Sequence, residues 1–440
     1  MKIMTAEDNK RFSVEIFNAA LRYVDPYASV AHYLERIRDI FRKGQFRRLI
    51  VAGFGKASCP MAKAIEDGLS DLFDSGVVIT KYGHCSGHDL KKIRIHEAGH
   101  PLPDENGMKG TQEIVNLLRR ADEHSIVVCL ISGGGSALLV SPQEGITLAD
   151  KQSVTNLLLK AGADIYELNT VRKHISKVKG GRLAETAFPA KVMSLIISDV
   201  MGDRLDVIAS GPTSPDGSLY QDALGVIEKF ELTGQTPRSV LDMLKSGAEG
   251  LTPETPKKGS PIFDRVENMI IGNNIGALKA AEARAESFGL AAEIISSDLT
   301  GEAAEVGKWL AKKAVEMRNA GRSARSRCLI SGGETTVTVK GSGLGGRNME
   351  LALAFAMAIE GIDGITLLSA GTDGTDGPTD AAGAIVDGKT VEKARTAGLD
   401  PQGYLSNNDS YNFFRKIGGL LITGPTGTNV MDIQIIVIDS

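Results

Sequence analysis

Apolar positions spaced three and four residues apart run through Ala6–Tyr23 (Val14, Phe17, Ala20, Leu21) and Val30–Lys43 (Leu34, Ile37, Ile40), so the chain opens with amphipathic helices. Short runs rich in β-branched residues follow at Arg48–Ala52, Gly76–Thr80, Ile93–Glu97, Ser125–Ser132 and Val192–Ser198, each ending in a glycine turn or a helix. Helical spacing fills the intervals at Asp104–Ala121, Leu148–Ala161 and Ile165–Lys177. Strands that alternate with helices predict a parallel sheet covered on both faces. Such sheets take ligands outside the carboxyl ends of their strands, which is where the glycine turns fall.

Helical patterns at Leu219–Phe230 and Arg238–Lys245 close this half, and Glu249–Pro261 (EGLTPETPKKGSP) reads as a linker. Further strands are expected near Met269–Gly272, Ala292–Ser297, Cys328–Ser331, Thr335–Lys340, Ile365–Ser369, Leu420–Thr423 and Ile433–Ile438. Only Gly-Gly-Glu separates Cys328–Ser331 from Thr335–Lys340, which predicts a hairpin and therefore a mixed sheet. The expectation is an α/β chain of two domains, 1–250 and 251–440, the second smaller. Leu130–Val140 (LISGGGSALLV) is echoed by Leu329–Val339 (LISGGETTVTV), either as paired glycine turns facing a cleft or by convergence on a common strand-turn.

Composition narrows the class. A chain of 440 residues holds two or three full cores. With a net charge of −4 and no Lys/Arg block, nucleic acid is not an expected partner. The four cysteines (Cys59, Cys85, Cys129, Cys328) are scattered, which reads as reduced, cytoplasmic usage rather than a disulfide framework. No apolar stretch reaches membrane-spanning length, and MKIMTAEDNKRF lacks a signal-like apolar core, so no membrane role is expected.

The chemistry gathers on loops. In LIVAGFGKASCPMAK (Leu49–Lys63) a strand meets Gly53-Phe54-Gly55, then Lys56, then a helix with Ser58 as its expected N-cap. Free N–H groups, the helix dipole and the Lys56 charge make this an anion site. No P-loop pattern occurs, and Ser58 stands where a dinucleotide fingerprint needs its third small residue, although Asp71 and Asp74 keep an NAD reading open. Ser132, Gly133, Gly134, Gly135 and Ser136 form a turn whose backbone can approach a ligand closely. Asn169–Arg182 concentrates Arg172, Lys173, His174, Lys177, Lys179 and Arg182 beside Gly180-Gly181, either a solvated helix face or a capture site for an acidic substrate or phosphate.

Asp199 follows a strand directly, the position for a carboxylate that holds Mg²⁺ or takes a proton; a loop acid that caps the next turn is the structural alternative. Arg347 opens an apolar helix after Gly345-Gly346, suited to a transferring phosphoryl group. Ser369–Asp380 carries Asp373, Asp376 and Asp380 on a glycine loop that lacks EF-hand spacing. Asn407–Ser410 adds polar turn groups. His84, Cys85, His88, His96 and His100 match no common zinc spacing, and no G-x-S-x-G elbow is present.

Together these motifs resemble the glycerate 2-kinase family whose C-terminal part is the MOFRL domain. The resemblance rests on GFGKAS (Gly53–Ser58), EAGHPLPDENG (Glu97–Gly107), ISGGGSALL (Ile131–Leu139) and NTVRKHISKVKGGRLA (Asn169–Ala184). It continues through SDVMGDRLDVIASGPTSPD (Ser198–Asp216), ISGGETTVTVKGSGLGGRNMELAL (Ile330–Leu353), AGTDGTDGPTDAAGA (Ala370–Ala384) and GPTGTNVMDIQI (Gly424–Ile435). It implies a Rossmann-like first domain, a smaller α/β second domain and an active site in the cleft between them. It also implies transfer from Mg·ATP to the 2-hydroxyl of D-glycerate. The residues matching the family's essential lysine and arginine are Lys56 and Arg347; those matching its site acids are Asp199 and Asp373, which are the expected metal carboxylates. ATP contacts are expected from Gly53, Gly55, Ser132, Gly133, Gly134, Gly135, Ser136, Lys179, Glu334 and Asn407. A homodimer is compatible with the sequence. The rival readings are an NAD(P)H-dependent hydroxypyruvate reductase, carried by the glycine turn alone, and a non-catalytic nucleotide-binding regulator.

Overall fold

Residues 5–87, 89–319 and 325–439 are described by the computed structural model. The chain forms two compact units, one of Pro26–Ile271 and one that joins the residues before Pro26 to those from Gly272 onward.

In the first unit, Arg48–Phe54 (β1), Phe73–Lys81 (β2), Ile93–Ala98 (β3), Ser125–Ile131 (β4), Lys191–Ile197 (β5) and Val266–Gly272 (β6) make one sheet. Its order is β3-β2-β1-β4-β5-β6. The pairings that link β1 to β5 are all parallel. Every residue of β4 is buried, as a central strand covered on both faces requires. Ile50, Phe54, Val127, Ile131 and Val192 pack with Ile114 and Leu118 of the helix Glu105–Leu118. A second core, around Val154, Leu168, Val171, Tyr220 and Leu244, joins helices Leu148–Lys160, Ile165–His174, Tyr220–Lys229 and Arg238–Ala248.

Three expectations change here. Val30–Lys43 is two helices, Pro26–Ala31 and Leu34–Lys43. The compact units divide the chain after Ile271, not near 250, because Glu249–Pro261 is pinned down. Glu254 accepts from the Tyr220 N–H at 2.9 Å and faces His174 Nε2 at 3.2 Å, and Thr255 Oγ1 donates to buried Asp216 at 3.0 Å. Met269–Gly272 accordingly belongs to β6 at the edge of this first sheet. The expected reduced set of thiols is also corrected. Cys59, in the first turn of the helix Ser58–Leu69, is disulfide-bonded to Cys85 beyond β2, while Cys129 and Cys328 are free and buried.

In the second unit, Ala291–Leu299 (β7), Arg327–Gly333 (β8), Ile365–Gly371 (β9), Gly383–Asp387 (β10), Leu420–Leu421 (β11) and Asp432–Ile438 (β12) form a sheet of order β11-β10-β9-β12-β8-β7. β7 runs parallel to β8, whereas β12 lies antiparallel between β8 and β9. The sheet is mixed, but not through the expected hairpin. Thr335–Lys340 bonds to distant segments instead: Thr336 N–H donates to Gly301 O at 2.9 Å, Thr338 N–H to the Glu302 side chain at 2.9 Å and Lys340 N–H to the Asn408 side chain at 2.8 Å. It keeps a single bridge, Thr336 to Glu302, and makes no ladder. The helix Ala6–Tyr23, closed by a Thr5–Asp8 capping box, packs in this unit. Phe12 stacks on Phe288 at 4.5 Å, Asn9 Nδ2 donates to Asp439 at 2.9 Å and Lys10 pairs with Asp387 at 2.7 Å. No helix among the described residues is long and apolar enough to cross a membrane.

Candidate active site

Register builds the site of the first unit. Phe54 pairs with Ile131 and Ile131 with Ile196, so β1, β4 and β5 end side by side and their loops share one edge. That edge includes the reversal of strand order between β1 and β4, the place where open α/β sheets bind ligands. Two of the loops interlock. The Lys56 N–H donates to Gly133 O at 2.8 Å, the Ala57 N–H to Ser132 Oγ at 3.0 Å and the Ser132 N–H to Phe54 O at 3.2 Å. Gly55, at φ +129°, lies so close that a Cβ would sit 2.2 Å from Ser132 Oγ. Gly53 faces Val78 and serves packing. Ala57, not Ser58, is the helix N-cap, because the Ser58 hydroxyl turns back to Ile79 O at 3.1 Å.

Asp199 enters this edge from β5. Its Oδ2 would stand 2.3 Å from a Cβ on Gly133, so the carboxylate rests directly on that backbone. Gly133→Ala is therefore expected to displace Asp199 and to lower kcat by about 10²-fold, the scale of an ångström misplacement, with a normal thermal melt. Steady-state kinetics beside a melting curve check this. His100, noted in the sequence only as a zinc alternative, packs here too. A Cβ on Gly134 would touch its ring and the Lys56 side chain at 3.0–3.3 Å. Burial, then the charges of Lys56 and Lys81 and neighbouring His84, push the His100 imidazole down to about 4, so it is neutral near pH 7. Of the candidate zinc ligands, Cys85 is in the disulfide, His96 pairs with Glu113, and His88 lies outside the described residues. Among the described residues no group of three or more metal-ligating side chains occurs. Lys179 reaches the same loop from behind, donating to Ser136 O at 2.9 Å.

In the second unit, Asp432, first residue of β12, pairs with both Gly333 and Gly371, so it sits between the carboxyl ends of β8 and β9. Arg347 binds it through two bonds, Nε to Oδ2 at 2.6 Å and Nη2 to Oδ1 at 2.9 Å, and Nη1 donates to Glu334 at 2.6 Å. Burial works against the Arg347 charge, but Asp432 and Glu334 outweigh it and hold the guanidinium above its ordinary range. Burial likewise pushes the Asp432 carboxyl up, against the pull of Arg347. The Asn348 and Met349 N–H groups of the helix Arg347–Ala358 donate to Asp376 at 3.1 and 2.8 Å. Burial raises Asp376 to about 7.

A cavity of about 700 Å³, lined by Thr335, Thr336, Arg347, Glu350, Asp373 and Asn408 among others, lies over these groups. Asp373 Oδ1 accepts from the Thr375 N–H and hydroxyl at 3.0 and 3.1 Å. Asn407 braces the Gly341–Gly346 loop, accepting the Ser342 N–H at 3.1 Å, and is not among the lining residues. Its neighbour Asn408 is, and donates to Glu350 at 3.0 Å. The sequence reading gave Asp432 no role and took Asn408 only as part of the polar Asn407–Ser410 turn. The only available signal was a charged residue at the head of the apolar run Ile433–Ile438, and a second asparagine in the Asn407–Ser410 turn.

Each unit thus presents a cation and a carboxylate: Lys56 and Asp199 on loops at strand ends, and Arg347, the first residue of its helix, with Asp373 on the loop after β9. This is an α/β architecture suited to anionic, phosphate-bearing substrates. A family model described as a domain of unknown function (DUF4147) matches residues 12–245, and the MOFRL family model matches residues 327–432. The chain is 48% identical to the D-glycerate 2-kinase of Thermotoga maritima over 98% of both chains. It is 43% identical to the glycerate 2-kinase of Pyrococcus horikoshii over 99% of both. A crystal structure of the Thermotoga maritima glycerate kinase superimposes with a TM-score of 0.88 at 48% identity, covering 98% of this chain and all of that one. The chain belongs to the glycerate 2-kinase family.

Proposed function

We propose that this protein is a D-glycerate 2-kinase, transferring the γ-phosphoryl group of ATP to the 2-hydroxyl of D-glycerate to give 2-phosphoglycerate. The observation that carries the reading is full-length identity of 48% to a D-glycerate 2-kinase. The polar groups described above support it.

Phosphoryl transfer is mainly positioning and charge neutralisation. The Lys56 ammonium has no hydrogen-bond or ion-pair partner among the described residues, so its charge is available to an anion. Asp199, set against Gly133, is assigned to orient or deprotonate the substrate hydroxyl. Arg347 uses three of its N–H groups on Asp432 and Glu334, which fixes the guanidinium plane and leaves two for phosphate oxygens. Glu334 therefore serves Arg347 rather than ATP directly. The cavity over Arg347 has the size that takes a nucleotide. Mg²⁺ needs only one or two carboxylates beside phosphate oxygens, and Asp373, which lines that cavity, is assigned to it.

An ATP-dependent assay with D-glycerate and Mg²⁺, coupled through enolase without phosphoglycerate mutase, tests the reading. Direct signal is expected. Signal only after the mutase is added would mean a 3-kinase, and NADH oxidation with hydroxypyruvate in its place would mean the reductase.

A further inference from the structure

The basic residues of Asn169–Arg182 differ in their partners, and Arg182 donates to the Tyr220 hydroxyl at 3.3 Å and to Pro253 O at 3.1 Å. Lys173 has Asp216 at 3.1 Å and His174 has Glu254 at 3.2 Å, while Lys177 is exposed. Arg172 and Lys179 have no acidic partner among the described residues, and Lys151, from the preceding helix, lies close enough to interact with both. Lys151 is 3% exposed, yet its Nζ has no hydrogen-bond partner among the described residues. The amide nitrogen of Asn169, which is 2% exposed, has none either. These groups meet the glycine loop: Asn169 Oδ1 accepts from Ser210 Oγ at 2.9 Å, Ser210 Oγ lies 2.8 Å from Ser136 Oγ, and Lys179 Nζ donates to Ser136 O.

We propose that Lys151, Arg172 and Lys179, with the Asn169 amide and the Ser136 hydroxyl, form the subsite for the carboxylate of the acid substrate, an assignment that rests on the kinase reading.

Buried ammonium groups without counter-charge are costly, and a fold keeps them where an anion arrives to complete the set. In its absence the charges suppress one another. Burial, with Arg172 nearby, pulls Lys151 down to about 7, and burial with Lys151 and Arg172 holds Lys179 far below the usual lysine range. The unused donors match a carboxylate, whose two oxygens accept about four hydrogen bonds. Ser136 and Arg172 are half-buried and give the set its edge to solvent. The cavity beside Tyr166, which Asn169 also lines, exerts no such pull, since its Lys173 and Arg204 are already matched by Asp216 and Asp206.

Calorimetric titration of the full chain with D-glycerate, glycerol and a non-hydrolysable ATP analogue tests this. In the parent, D-glycerate binding at about pH 8 is expected to take up protons, because an anion raises the lysine pKa values; buffers of different ionisation enthalpy read the uptake. Lys151→Met is expected to weaken D-glycerate by about ten- to a hundredfold, the scale of a lost charged hydrogen bond, and to diminish the uptake. The same variant keeps its ATP-analogue affinity and melts no lower than the parent, since it removes a buried amine that has no hydrogen-bond partner among the described residues. Arg172→Gln is expected to weaken D-glycerate in the same direction. Parent-like D-glycerate binding and proton uptake in both variants would overturn the subsite. A selective loss of ATP-analogue affinity would overturn it too, by showing that a phosphate is the anion. Because binding is read without turnover, a parent that binds D-glycerate through Lys151 but does not phosphorylate it defeats the kinase reading alone.

Discussion

Lys56→Met is expected to lower kcat for D-glycerate and ATP by about 10³-fold, the upper scale for removing one preorganised group from a developing anion, while the melting temperature stays within a degree or so of the parent. The two halves of that expectation share one cause. The Lys56 backbone is fixed by Gly133 O, but its ammonium has no partner among the described residues. Its removal leaves no buried acid stranded and opens no core cavity. Single-turnover kinetics beside calorimetric melting separate the effects. Activity within a few-fold of the parent would remove Lys56 from the phosphate site.

Arg347→Ala is expected to behave differently, losing both activity and stability. Asp432 is 1% exposed and its carboxylate is held by the bidentate Arg347 contact. Taking the guanidinium away leaves that charge buried and uncompensated, which costs about 3–5 kcal/mol. The denaturation midpoint should fall accordingly. Adding Asp432→Asn should restore much of the midpoint without restoring turnover, because the stranded charge is removed but the phosphate-facing group is not. If the single variant melts like the parent, the pairing does not hold in solution. If it also turns over normally, Arg347 has no part in the reaction.

How far the sequence spoke for the structure depended on the range of the interaction. The helix Ala6–Tyr23 and strands β1, β3, β4 and β5 were legible because burial writes a period of its own into the residues. The meeting of Lys56, Gly133 and Asp199 was legible only in outline: three loops ending parallel strands must share an edge, but their contact depends on register. β10 was missed, since Gly383–Asp387 is short and starts on a glycine whose missing side chain makes room for the Ser369 carbonyl. Thr335–Lys340 alternates like a strand, yet its backbone is claimed by Glu302 and Asn408 from distant segments. The same holds for Glu249–Pro261, whose turn-rich composition hid Glu254 and Thr255 as anchors. Asp432 and Arg347 are far apart in sequence, and nothing in either neighbourhood announces the pair.

The packing of Ala6–Tyr23 into the second unit has a consequence for how the protein is made. The helix is translated before the first unit, but its partners Phe288, Asp387 and Asp439 are translated after the entire first unit. At ordinary translation rates that interval is on the order of tens of seconds, during which the apolar stripe of Ile16, Phe17 and Ala20 has no native surface to cover it. The first unit can close on itself while the nascent chain is still growing. The second must wait for β12 and then recruit a helix made before the first unit.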